Sequence, residues 1–165
     1  MSITRTGATE SYGRIASAPH LLVAEDNEDD AALLGVALRR SGMTEGVQFV
    51  KDGQEVMDYL QGKPPFEDRA RYPIPSLLVL DLKMPLLDGF GVLEAMPPER
   101  MPLVVFVTAY DQFAVKAFEA QALDYLLKPF RRERFRASLE RVRRSIAARD
   151  ATAAASVDGV GVSNS

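Results

Sequence analysis

Short apolar runs alternate with amphipathic segments along most of this sequence, and that alternation constrains the fold more than any other feature. The apolar runs, in chain order, are HLLVA, VQFV, SLLVLD, PLVVFVT and LDYLL. SLLVLD and PLVVFVT are apolar almost throughout, which is typical of parallel strands covered on both faces. Five strands alternating with five helices predict an α/β fold built on a doubly wound, five-stranded parallel sheet.

The segments between these runs have the spacing of helices that pack one face against a sheet. Predicted helix bounds are about 29–40, 54–60, 112–122 and 132–148. The last helix places four apolar side chains on one face: Phe135, Leu139, Val142 and Ile146. QGKPPFEDRARYPIP follows the second helix, contains four prolines and is predicted to be a surface loop.

One globular domain is predicted, over residues 20–149. Residues 1–19 and 150–165 are small and polar without periodicity, so both ends are predicted to be disordered. No apolar run approaches the roughly 20 residues that span a bilayer, and the N-terminus lacks the apolar core of a signal peptide. We therefore expect a cytoplasmic protein with no membrane partner.

The residue types exclude several classes of site. The chain has no Cys and a single histidine, His20, which excludes disulfides, thiolate nucleophiles and zinc sites built from Cys or His. Lys and Arg number 20 against 23 Asp and Glu, for a net charge of -3. Direct binding to nucleic acid is therefore not expected.

Polar residues stand where the predicted strands end. Glu25 and Asp26 follow the first strand, and Asp81 follows the third. Thr108 ends the fourth strand, and Lys128 follows the fifth. Ligands of open parallel sheets bind at this carboxyl edge, so the five residues form the candidate site. Each alone is more often a cap, a turn residue or a surface charge, and it is their joint placement that indicates function.

Carboxylates gathered at one sheet edge repel one another, and a hard divalent cation relieves that repulsion. Mg²⁺ fits best, with Asp26 and Asp81 as direct ligands and Glu25 holding a coordinated water. An Asp carboxylate can also accept a phosphoryl group when a metal and a cation neutralise it. Asp81 is the predicted acceptor, Lys128 supplies the cation, and Thr108 supplies a hydroxyl donor.

The segments VAEDN, LLVLDLKMPLLDGF, VVFVTAY and LDYLLKPF resemble, in that order, the four signature segments of CheY-like response-regulator receiver domains. The resemblance implies a flavodoxin-like (βα)5 fold with strand order 2-1-3-4-5. It also implies that Asp81 is the phospho-acceptor, that Glu25 and Asp26 bind the metal, and that Thr108 and Lys128 sense the phosphate.

Further roles follow from the same resemblance. The Lys83 backbone carbonyl is implied as a metal ligand, and Tyr125 as the aromatic switch, with a simple sheet-packing Tyr as the alternative. The Lys128-Pro129 bond is implied to be cis. The side chains of Lys83 and Tyr110 stand where the family tunes aspartyl-phosphate lifetime. Asp88 is predicted to cap a helix.

The function implied is that of a two-component response regulator. A sensor histidine kinase or phosphotransfer protein would phosphorylate Asp81 in a Mg²⁺-dependent reaction, and slow self-dephosphorylation would reverse it. The signal would bias a two-state equilibrium in the fourth helix, fifth strand and fifth helix, a face that binds a partner or forms a homodimer. The RRERFRASLERVRR segment is then either a solvated amphipathic helix or a part of that dimer face.

The sequence resembles two subfamilies of receivers, and three functions other than that of a phosphorylated receiver are alternatives. The long loop and LDLKMPLLDGF resemble stand-alone receivers of the cyanobacterial phytochrome-partner kind, whereas TAYDQFAVKAFEAQALDYLLKPF resembles receivers that precede LytTR-type DNA-binding domains. The main alternative is a non-phosphorylated pseudo-receiver that acts as a protein-binding module. A haloacid-dehalogenase-type phosphatase would need an Asp at position 83, which is Lys83. A flavodoxin-like electron carrier would not place EDNEDD where FMN phosphate binds.

Overall fold

The computed structural model describes residues 19–158, in which five parallel strands form one sheet. The strands are β1 (Leu21–Ala24), β2 (Val47–Val50), β3 (Leu77–Leu80), β4 (Leu103–Thr108) and β5 (Asp124–Leu127). Their order across the sheet is β2-β1-β3-β4-β5, and each neighbouring pair is parallel. The predicted fold class and strand order are therefore confirmed.

Five α-helices connect or follow these strands. They are α1 (Glu28–Arg40), α2 (Gly53–Gln61), α3 (Gly89–Ala95), α4 (Ala114–Glu119) and α5 (Arg132–Asp158), with a short 3-10 turn at Pro98–Arg100. Three helices begin at a side-chain cap. Asn27, Asp52 and Asp88 accept hydrogen bonds from the N-H groups of residues 30, 55 and 91, at 3.0, 2.8 and 2.7 Å. Asp88 is thus a helix cap, as predicted.

Apolar side chains cover both faces of the sheet. Leu22 and Ala24 of β1 pack on one face, in a core that draws on α2, α3 and α4. Leu21 and Val23 point the other way, into a core shared with α1 and α5. All the residues of β1, β3 and β4 are buried, in agreement with the apolar runs from which they were predicted. This packing fixes the carboxyl edge of the sheet, where the polar residues lie.

Two helices, α4 and α5, differ from their predicted bounds by more than one residue. Helix α4 spans 114–119 instead of 112–122, because residues 111–113 form a turn and Gln121 adopts a left-handed φ of 64°. Helix α5 continues to Asp158, ten residues beyond the predicted end at 148. Its extension, RDATAAASVD, is rich in Ala and free of Gly and Pro, which favours continued helix.

The predicted disordered ends are only partly covered by the described residues. Disorder from residue 150 is wrong for 150–158, which are helical. Residues 159–165 and residues 1–18 lie outside the described part of the chain. Between residues 19 and 158, no helix is both long and apolar enough to cross a membrane.

The long connection between α2 and β3 contains neither helix nor strand, as predicted. Arg69 holds it in place by donating hydrogen bonds to the carbonyl oxygens of Tyr59 and Leu60, at the end of α2, and to that of Tyr72. The Tyr59, Phe66 and Tyr72 rings lie against one another, with centroids 5.0 to 5.9 Å apart. The loop is therefore an ordered structure with its own aromatic cluster.

Candidate functional site

The sheet hydrogen bonding extends one residue beyond three of its strands, and this positions the site residues. The Glu25 N-H donates to the Val50 carbonyl at 3.1 Å, and the Asp81 N-H donates to the Ala24 carbonyl at 3.1 Å. The Lys128 N-H donates to the carbonyl of Thr108, the last residue of β4, at 2.8 Å. Predicted site residues from four strands therefore meet at one edge of the sheet.

Three carboxylates form a cluster at this edge. One oxygen each from Glu25, Asp26 and Asp81 lies within 4.8 Å of the others. Glu25 and Asp81 are buried, with exposed fractions of 4% and 8%, while Asp26 is open to solvent. An all-oxygen donor set with one solvent-facing side is the type that Mg²⁺ prefers, because the ion retains several waters. The residues present therefore fit a magnesium ion.

The Lys128 ammonium lies among carboxylates and balances part of their charge. Its Nζ is 2.5 Å from Glu25 Oε2, 2.9 Å from Asp30 Oδ2 and 3.0 Å from Asp81 Oδ2. Burial alone would lower the pKa of Lys128, but the bonds to these three carboxylates raise it. The lysine is therefore a fixed positive charge in direct contact with the Asp81 carboxylate.

Glu25 behaves differently from an exposed carboxyl. Burial raises the pKa of Glu25 to about 7, against the lowering effect of hydrogen bonds from Lys128 and from the Asn27 N-H. The neighbouring Asp81 carboxylate contributes further in the raising direction. A cation bound at the cluster would favour the ionised form of Glu25, which is the form that can hold a metal-bound water.

Thr108 and Tyr125 both contact the backbone of Tyr110. The buried Thr108 hydroxyl accepts a hydrogen bond from the Tyr110 N-H at 3.3 Å. The Tyr125 hydroxyl donates to the Tyr110 carbonyl, and the Tyr125 ring is buried with its centroid 6.3 Å from that of Phe106. Tyr125 is thus an inward-facing aromatic residue that also packs on the sheet.

Lys83 lies beside the Asp81 carboxylate. Its N-H donates to Asp81 Oδ1 at 3.3 Å. Its ammonium lies over two aromatic rings, 5.4 Å from the Tyr110 centroid and 5.3 Å from that of Phe113. The peptide bond between Lys128 and the following proline, Pro129, is cis.

Sequence reasoning missed one residue of the site, Asp30. It lies in the first turn of α1 and reaches Lys128, although it does not follow a strand. The only sequence signal was its place in the acidic run EDNEDD after β1. That signal suggests a helix start and does not indicate which acid faces the lysine.

The response regulator receiver domain model matches residues 21–140 of this chain. The chain belongs to the response regulator receiver family. It is thus a receiver domain of a two-component system, a class of signalling domain that is generally not enzymatic. Receiver domains interact with histidine kinases or phosphotransfer proteins and bind Mg²⁺ at an acidic pocket.

Solved structures with the same fold include response regulators of light signalling. The bacteriophytochrome response regulator RtBRR is 31% identical, with a TM-score of 0.66 over 75% of this receiver and 77% of that chain. A response regulator in red light signalling of R. palustris is 29% identical, with a TM-score of 0.63 over 74% of this receiver and 89% of that chain.

Curated relatives match a shorter stretch. The transcriptional regulatory protein BtsR of Salmonella typhi is 42% identical over 76 residues, which are 46% of this receiver and 32% of BtsR. An uncharacterized response regulatory protein of Vibrio vulnificus is 52% identical over 68 residues, 41% of this receiver and 28% of that protein. The match therefore spans about a third of each curated relative.

Proposed function

We propose that this receiver accepts a phosphoryl group on Asp81 from a histidine kinase or a phosphotransfer protein, in a Mg²⁺-dependent reaction. The observation that carries the proposal is the position of the Asp81 carboxylate. It shares a cluster with Glu25 and Asp26 and is in direct contact with the Lys128 ammonium. A nucleophilic carboxylate, a set of oxygen ligands and a fixed cation are the parts that phosphoryl transfer to Asp requires.

In the proposed step, an Asp81 carboxylate oxygen forms a bond to phosphorus while the bond between phosphorus and the donor imidazole nitrogen breaks. The departing nitrogen keeps the electron pair of that bond. Lys128 neutralises charge on the transferred group, and the Thr108 hydroxyl donates to one of its oxygens. Glu25, Asp26, Asp81 and the Lys83 carbonyl would hold Mg²⁺, which when bound neutralises further charge on the phosphoryl oxygens.

The output surface in this proposal is the face formed by α4, β5 and α5. Val115 and Phe118 of α4 and Leu127 of β5 are exposed apolar residues, at 71%, 53% and 44%. Because Thr108 and Tyr125 both bond to the Tyr110 backbone, a shift of the Thr108 hydroxyl towards a phosphoryl group would disturb the position of Tyr125. That shift would change the surface offered to a partner or to a second copy.

The kinase or phosphotransfer protein would approach along α1. A cavity of about 630 Å³ opens beside Lys128, between α1 and the start of α5. Leu33 of α1 lines it and is 65% exposed, and Phe130 lines it from the segment after β5. An apolar surface next to the acceptor suits the helical face of a phosphodonor protein.

We infer the kind of phosphodonor and the origin of the switching face from the resemblances to other receivers. The likeness to bacteriophytochrome response regulators supports a light-sensing kinase as the donor. The second half of the chain, which resembles LytTR-associated receivers, would supply the switching face.

The deciding experiment is phosphorylation by acetyl phosphate or phosphoramidate, with and without Mg²⁺, followed by intact mass measurement. Wild type should gain one phosphoryl group only when Mg²⁺ is present, and Asp81→Asn should gain none. Asp111→Asn, an exposed acid at the same edge of the sheet, is the matched control and should behave as wild type. Absence of an adduct in wild type under every condition would favour the pseudo-receiver, a binding module that is not phosphorylated.

A further inference from the structure

The Lys128 ammonium has no hydrogen left to donate. An ammonium group carries three N-H donors, and Lys128 directs one each to Glu25, Asp30 and Asp81. A phosphoryl group on Asp81 would need one of these donors. One of the three existing contacts must therefore weaken when the domain is phosphorylated.

Asp30 differs from the other two partners in its position. Glu25 and Asp81 belong to the carboxylate cluster that fits Mg²⁺, whereas Asp30 does not. Its carboxylate is not part of the helix cap, because its backbone N-H, and not its side chain, bonds to Asn27 Oδ1. The side chain is 38% exposed and turns from α1 towards Lys128. Its contact within the site is therefore with the lysine.

Asp30 also places a negative charge near the reacting centre. Its Oδ2 and the Asp81 Oδ2 bond to the same nitrogen, at 2.9 and 3.0 Å, so the two oxygens are separated by no more than the combined length of those bonds. An aspartyl phosphate carries roughly two negative charges at pH 7, where the free carboxylate carries one, so phosphorylation increases the negative charge at Asp81. At this separation, in a partly buried site, like charges repel appreciably.

We propose that Asp30 is a positioning residue that competes with the phosphoryl group for the Lys128 ammonium. It holds the lysine on the α1 side in the unphosphorylated domain and opposes the accumulation of the phosphorylated form. This inference rests on the proposed phosphorylation of Asp81. It adds that the Asp30 carboxylate specifically restrains that reaction. The restraint comes from α1, and a partner that touches α1 could release it.

The test uses Asp30→Asn in the full chain and measures two affinities by calorimetry. One is the affinity for Mg²⁺ alone, and the other is the affinity for beryllofluoride, a phosphoryl mimic, at saturating Mg²⁺. Loss of a nearby negative charge should act in opposite directions on a cation and on an anionic group. We expect beryllofluoride to bind about tenfold more tightly, Mg²⁺ to bind about threefold more weakly, and acetyl phosphate to label the variant faster.

Three further variants separate this effect from a structural one. Asp29→Asn removes the same charge from the neighbouring, exposed position of α1 and should change both affinities less than twofold. Asp30→Glu keeps the charge and should restore values close to wild type. Asp30→Ser repeats the loss of charge with another small polar side chain and should reproduce the opposite changes seen with Asn.

Several results would overturn the inference. A loosened structure would weaken both affinities in Asp30→Asn and Asp30→Ser, and unchanged beryllofluoride binding would show that Asp30 does not compete for Lys128. Equal effects of Asp29→Asn and Asp30→Asn would show that only the total negative charge of this part of α1 matters, and not the contact between Asp30 and Lys128. Failure of the phosphorylation proposal itself is distinct, because wild type would then neither bind beryllofluoride nor gain a phosphoryl group.

Discussion

Replacing Asp26 with Asn should stabilise the protein in the absence of Mg²⁺ and remove that advantage in its presence. Asp26 is the solvent-facing member of the carboxylate cluster, and its side-chain oxygen lies within 4.8 Å of oxygens of both Glu25 and Asp81. Two unit charges at that separation repel by about 0.9 kcal/mol in bulk water and about 1.7 kcal/mol at an effective dielectric constant near 40. The Lys128 ammonium bonds to Glu25 and Asp81 and offsets about one of the two repulsions. We therefore expect a gain of about 1 kcal/mol in the free energy of unfolding of the metal-free variant.

Mg²⁺ should reverse this advantage because it binds the folded state. With a dissociation constant of about 1 mM, 10 mM Mg²⁺ would stabilise wild type by about 1.4 kcal/mol. A tenfold weaker site in Asp26→Asn would gain only about 0.4 kcal/mol, so the two proteins should become about equally stable. Urea unfolding followed by circular dichroism, with EDTA or with Mg²⁺, measures both differences.

The control for this prediction is Glu94→Gln, which removes a charge from an exposed position of α3 that lies outside the cluster. It should leave the response to Mg²⁺ as in wild type. Two results would refute the reasoning: Asp26→Asn no more stable than wild type in EDTA, or as strongly stabilised as wild type by Mg²⁺. The first would show that the carboxylates do not repel appreciably, and the second that Asp26 is not a ligand.

Three further variants, and one control, test contacts that support the site from outside the carboxylate cluster. Each is measured as a change in the free energy of unfolding by chemical denaturation. Arg134→Ala should cost about 1–3 kcal/mol, because it leaves the buried Asp124 carboxylate without its bidentate partner at 2.6 and 2.8 Å. Burial raises the pKa of Asp124, but Arg134 and the other hydrogen bonds to its carboxylate lower it below its usual value. The stabilisation by Arg134 is therefore present at neutral pH. The difference in the free energy of unfolding between Arg134→Ala and wild type should shrink as the pH falls below about 4. Gly53→Ala should cost about 2–3 kcal/mol, since the new Cβ would lie 2.1 Å from a backbone carbonyl oxygen, whereas Gly35→Ala, with its nearest neighbour at 3.5 Å, should cost nothing. Arg69→Ala should cost about 1–2 kcal/mol and speed proteolysis in the loop between α2 and β3, because three backbone carbonyls each lose one hydrogen-bond donor.

The sheet and most of its edge could be predicted from the sequence because the signals there are local. A continuous apolar run such as LLVL specifies a buried strand, and a parallel sheet brings the ends of such strands to one edge. The strand order implied by the family resemblance makes β1 and β3 neighbours, so Glu25, Asp26 and Asp81 were expected to lie close together. Topology brought their backbones to one edge of the sheet, and their side-chain conformations then set the distances between the carboxylate oxygens.

Asp30 could not be predicted in the same way, because its contact depends on where a long, flexible lysine side chain ends. Lys128 is attached to β5 and Asp30 to α1, and 98 positions separate them in the chain. Several acids of EDNEDD were available to the ammonium, and only the path of α1 across the sheet selects Asp30. Helix ends were uncertain for a related reason, since the end of α5 depends on weak propensities summed over many residues.

Strand β5 is held by charge at both of its ends, and the two attachments differ in kind. At its start, the buried Asp124 carboxylate is bound by Arg134 and lies 3.6 Å from a guanidinium nitrogen of Arg141, so α5 is fixed to the sheet. At its other end, Lys128 bonds to three carboxylates, one of which is the proposed acceptor. Phosphorylation of Asp81 would change the charge at the second attachment and leave the first unchanged. We therefore expect β5 to respond mainly at its Lys128 end, while Asp124 and Arg134 keep α5 in register with the sheet.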